Sequence, residues 1–144
     1  LPTSRSRKNS TSRLINTSVR AQVGPGAAVI IPGLVVGPGA TKTVLIRAVG
    51  PGLSAFGVPG PLLAAPVVTL YAGAEAYLTN TRWNTAANAT EIRAAAQRIG
   101  AFELAEGRGD SALLASLSPG AYTIQVAGLN ATTGVALVEI FEVP

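Results

Sequence analysis

Residues 109–142 read GDSALLASLSPGAYTIQVAGLNATTGVALVEIFE, and their spacing decides the fold class. Tyr122, Ile124 and Val126 alternate with Thr123 and Gln125, the period-two pattern of a strand with one face buried. Ser118-Pro119-Gly120 leads into that run as a turn, and the apolar run Ser111–Leu117 before it reads as a short strand. Turn residues at 128–134 separate it from a final strand over 135–143.

The same grammar extends toward the N-terminus. In residues 13–23, Ile15, Thr17, Val19, Ala21 and Val23 fall on one side of an alternating run, while Asn16, Ser18, Arg20 and Gln22 fall on the other. Gly24-Pro25-Gly26 closes that strand. Two more follow at 28–36 and 42–49, divided by Gly37-Pro38-Gly39. Pro32 cannot donate to a ladder, so the first of these carries a bulge or lies at an edge. Residues 50–66, rich in Pro and Gly, form a long ordered loop with Phe56 and Leu62 as its anchors in the core. Residues 67–72 and 75–80 make a hairpin around Ala72-Gly73-Ala74. One helix fits the chain: Asn88 and Glu91 have capping-box spacing, Ile92, Ala95, Ala96 and Ile99 form a stripe, and Gly100 supplies the C-cap. The sum is a mainly β domain, a two-sheet antiparallel β-sandwich of jelly-roll or Ig-like type, with about eight strands and one short helix. Residues 1–12 are a basic Ser/Thr-rich extension, and 13–144 are the sandwich domain.

Composition narrows the chemistry. Histidine and cysteine are absent and Asp110 is the sole aspartate, which removes the usual proton-transfer group, the readiest nucleophile and nearly all zinc ligand sets. Only 12% of the 144 residues are charged, about half the usual ~25% share. So little charge points to surface covered by another copy or partner. The net charge of +4 belongs to the start of the chain: Arg5, Arg7, Lys8, Arg13 and Arg20 precede any acid. Beyond them six basic residues face seven acidic ones, so no basic face for nucleic acid is expected on the domain. No apolar run is long enough to cross a membrane as a helix. A chain beginning Leu1-Pro2 reads as a mature or trimmed form.

The remaining constellations are sparse. Glu103, Glu106 and Asp110 lie close in sequence around Arg108, but the EF-hand rhythm is missing, and a self-paired solvated loop is the expected state. Serine has no histidine partner, and the lysines, Lys8 and Lys42, stand in the extension and at a strand start. No phosphate-binding glycine motif occurs; the Gly-Pro-Gly triplets are turns. No cofactor, metal or catalytic residue is expected. Asn9, Asn16, Asn88 and Asn130 fit the glycosylation triplet, a weak signal in a Ser/Thr-rich chain.

Three segments together carry a resemblance: KTVLIRAVGPGLSAFGVPGPL (42–62), NTRW (80–83) and the 109–142 stretch quoted above. They are similar to a β-sandwich domain of exported and cell-surface proteins of environmental bacteria. RLINTSVRAQV (13–23) matches that domain's opening strand. Where the family often has acidic residues near Asn-x-x-Trp, this chain has Thr81 and Arg82, so no cation role carries over. The resemblance implies an extracellular, exported domain with a structural role and no enzymatic activity.

A lone sandwich behind a short basic segment fits a self-assembling filament subunit. Arg13, Leu14, Ile15, Thr17, Val19, Ala21 and Val23 are the expected subunit interface, donated as a strand to an identical neighbour. A head-to-tail contact of that kind propagates instead of closing. Pairing of the same strand within its own chain is the competing arrangement. The alternative function is a carbohydrate-binding or adhesive module with polysaccharide as partner, in which Trp83 and a tyrosine form the platform; with only seven aromatic residues in the chain, a core or loop-anchor role is the competing reading of Trp83.

Overall fold

The computed structural model describes residues 16–24, 28–39 and 41–144. Eight strands and one α-helix stand among them: β1 (Asn16–Val23), β2 (Val29–Val36), β3 (Lys42–Val49), β4 (Pro66–Ala72), β5 (Glu75–Thr81), α1 (Ala89–Ile99), β6 (Ser111–Leu117), β7 (Gly120–Gly128) and β8 (Gly134–Val143). They form two four-stranded antiparallel sheets, ordered β1-β8-β3-β6 and β2-β7-β4-β5. Strand order separates the two sandwich types. Strands β1 and β8, β2 and β7, β3 and β6, and β4 and β5 pair as one long antiparallel hairpin would, with its tip at Gly73. Rolling that hairpin brings β8 beside β3 and β7 beside β4, which is the jelly-roll arrangement.

Side-chain alternation decides which faces meet. Between the sheets lie Val44, Ile46 and Ala48 of β3, Val68 and Leu70 of β4, Ile124 and Val126 of β7, and Ala136 and Val138 of β8. The first sheet is also covered on its outer side. Leu45 and Val49 of β3, Phe141 and Val143 of β8, and Ala112 of β6 pack there against Leu53, Trp83, Leu104 and the Ile92, Ala95 and Ala96 stripe of α1. Central strands buried on both faces lose their alternation, which is why VLIRAV in β3 reads as a continuous apolar run.

Local chemistry explains the ends and kinks. The pairing of β2 with β7 shifts register between Ile31 and Leu34, on either side of Pro32, and β2 is an edge strand, so Pro32 costs no interior ladder bond. Gly100 ends α1 in the left-handed region at φ 77°, with the Ala101 N–H donating to the Ala96 carbonyl. The capping box does not form. Asn88 stands at the N-cap position, yet its Nδ2 donates to the Leu114 carbonyl at 3.4 Å, tying the helix start to β6. The loop anchors also differ from expectation. Phe56 is 58% exposed and meets the Phe102 ring edge-on with centroids 4.8 Å apart, while Leu53 and Leu63 are the buried anchors and Leu62 is half-buried.

Candidate functional site

Arg13, Leu14 and Ile15 lie outside the described residues. The rest of the expected interface strand pairs in its own chain: β1 runs antiparallel to β8 from Asn16 opposite Phe141 to Val23 opposite Gly134. Among the described residues no strand pairs with its other edge, and β1 ends the sheet. The expected inward set is only partly enclosed. Val23 is buried and Ala21 half-buried, but Thr17 is exposed and Val19 is 39% exposed. The opposing sheet therefore covers β1 only toward its Val23 end. The strand is held by its ladder more than by its side chains.

Trp83 sits at the start of a single-turn 3-10 helix after β5 and is 3% exposed. Its Nε1 donates to the Ala105 carbonyl at 3.3 Å, its backbone N–H donates to the Asp110 carbonyl at 2.9 Å, and the Arg93 guanidinium lies 5.1 Å from its ring centroid. A sugar platform needs an open ring face. Trp83 has none here; it anchors the 83–105 segment onto the first sheet. The recess beside it, lined by Arg47, Trp83, Arg93 and Leu104, measures about 80 Å³. A second recess, between β5, the 86–88 loop and β6, measures about 220 Å³. Both fall short of the ~300 Å³ at which small-molecule sites begin.

The carboxylates go to separate tasks. Asp110 is fully buried, and its Oδ1 accepts from the Gly50 N–H at 2.8 Å and the Gly52 N–H at 3.0 Å. It clamps the Gly50-Pro51-Gly52 turn, where a Cβ on Gly50 would collide with the Leu63 carbonyl oxygen. Glu106 pairs with Arg93 at the surface, and Glu103 is exposed. Among the described residues no three metal-ligating side chains cluster, and no helix is long and apolar enough to cross a membrane.

Sequence reasoning missed one pair. Arg47 on β3 stands directly opposite Glu139 on β8, under the helical cover. Its Nε donates to Glu139 Oε1 at 2.9 Å, Nη2 lies 2.7 Å from the same oxygen, and Nη1 donates to the Phe102 carbonyl at 2.7 Å. The guanidinium sits 4.4 Å from the Phe102 ring centroid and 5.8 Å from that of Phe141. Its signal was a single charge of opposite sign inside each of two apolar runs, VLIRAV and ALVEIF. Buried among rings, the guanidinium bonds through Nε and Nη1 while Nη2 has proximity to Glu139 but no hydrogen-bond partner, and it welds strand to cover.

No model of a protein family, no curated protein and no solved structure matches the chain.

Proposed function

We propose that this chain is a non-enzymatic structural subunit, exported and assembling with identical copies into a filament by exchange of β1. One observation carries the reading: β1 makes a full ladder with β8 while fully burying only Val23 among its described side chains. A neighbour's β1 laid on the same β8 makes the same main-chain bonds and fills the same Val23 position, so exchange sacrifices no contact. Gly24, directly after β1, has φ 68°, a conformation suited to glycine, and exchange would turn the strand out there. The resemblance to exported bacterial sandwich domains supports the same reading. Trp83, the aromatic on which the alternative sugar-binding reading leans, is enclosed.

The test is electron microscopy of the full chain beside a chain lacking residues 1–23. Fibres are expected from the first and none from the second. A peptide of residues 13–23 should bind the truncated chain and leave it monomeric. Identical fibres from both chains remove strand exchange, and a full-length protein that stays monomeric when concentrated ends the reading.

A further inference from the structure

The two sheets differ in a way that a lone solvated sandwich does not require. The first sheet carries Arg20, Lys42, Arg47, Glu139 and Glu142, and its outer side is covered by α1 and the loops around it. The second sheet, β2-β7-β4-β5, has one charged residue on its four strands, Glu75 at the hairpin tip. Among the described residues no buried cluster lies on its outer side. Inward positions of this sheet belong to the core between the sheets, so the alternate positions point out: Ile30 and Val35 of β2, Val67 and Thr69 of β4, Thr79 of β5 and Gln125 of β7. Ile30 and Val35 are 59% and 68% exposed. Solvated sheet faces and edges ordinarily carry Lys and Glu, which keep other sheets away. This one has dispensed with them.

We infer that the outer face of the second sheet docks against the same face of a second copy. A surface without charges is a poor seat for a charged partner, whose ions would be buried unpaired. Against itself it meets no like-charge conflict, and two such sheets can stack at ~10 Å with their β-branched side chains interleaved. Part of the face is already ordered: the Thr69 and Thr79 hydroxyls share a hydrogen bond of 3.1 Å, and Thr79 Oγ1 lies 3.2 Å from the Val68 carbonyl it donates to. Four strands at ~4.8 Å and seven residues at ~3.3 Å give a footprint of roughly 440 Å² before side-chain relief. A standard interface takes ~800 Å² per partner. The face is thus sized to bind copies side by side within an assembly, where other contacts hold them together. The inference rests on the self-assembly proposed above and adds a second, lateral contact to it.

Light scattering and sedimentation velocity across a concentration series test it, using full-length protein, a Thr69→Lys/Gln125→Lys variant, a Thr69→Glu/Gln125→Glu variant and an Ala94→Lys control on the exposed side of α1. Circular dichroism confirms that each folds. Wild type and control should assemble alike, each face variant alone should lose at least tenfold of the scattering mass, and mixing the Lys and Glu variants should restore it. Face variants that assemble like wild type overturn the inference and leave strand exchange standing. Loss in the face variants with none on removing residues 1–23 sustains the inference and removes strand exchange. Binding to insoluble polysaccharide that the Lys variant abolishes, with assembly unchanged, assigns the face to a glycan and overturns the second copy.

Discussion

Removing Glu139 tests how the cover is attached to the sandwich. Arg47 is 1% exposed, and Glu139 Oε1 is its carboxylate partner. Glu139→Ala leaves a guanidinium enclosed between Phe102 and Phe141 with only the Phe102 carbonyl for a partner. Breaking a buried pair this way costs about 3–5 kcal/mol, a large share of the ~5–15 kcal/mol that holds a domain folded. For a chain of this size that lowers Tm by roughly 10 °C. Replacing both charges, Arg47→Met with Glu139→Leu, removes the buried ions together and strands only the Phe102 carbonyl. The double variant should fall about 1–2 kcal/mol below wild type, less than the Glu139→Ala single. Urea denaturation of wild type, Arg47→Met, Glu139→Leu and the double gives the coupling energy. A Glu139→Ala loss below ~1 kcal/mol would mean the pair is in effect solvated, and the weld between strand and cover would be wrong.

Asp110→Ala removes the acceptor of two backbone N–H groups and should cost about 3 kcal/mol, with faster amide exchange at Gly50 and Gly52 by NMR; Asp110→Asn should keep most of that protection. Trp83→Ala should lose about 3–5 kcal/mol in denaturant titration, because the ring is enclosed by α1, Leu104 and the first sheet. Ala131 occupies the left-handed region at φ 61°, so Ala131→Gly should raise stability by about 1 kcal/mol, read as a higher denaturant midpoint.

Strands with one solvated face were the most legible part of the molecule. Tyr122, Ile124 and Val126 alternate with Thr123 and Gln125 because no buried cluster of the described residues covers the second sheet's outer side, and the pattern located both the strand and its inward face. Strand β3 was found from its apolar run and its flanking turns, but the run hides which residues face the helix and which face the other sheet. Strand order was illegible: pairing β1 with β8 joins residues more than a hundred positions apart, and local spacing carries nothing about them. The β1 pattern overstated burial, since alternation marks a potential inner face while the reach of the opposing sheet decides how much is covered. Asn88 was placed at the helix start and Trp83 was singled out, both with their partners unseen, because Ala105 and Leu114 come near only after the chain folds over the first sheet. The second sheet, with Glu75 as the single charge on its strands, could have been noticed by comparing charge strand by strand, once the membership of each sheet was known.

The rolled hairpin also sets a timetable. Strand β8 lies between β1 and β3, so both remain one neighbour short until the far end of the polypeptide arrives. Early-made segments must wait with their apolar sides uncovered, and long-range closure of this kind is slow. While they wait, any molecule of the same kind can offer its own β8 first, so crowding during synthesis would favour chains that finish one another over chains that finish alone.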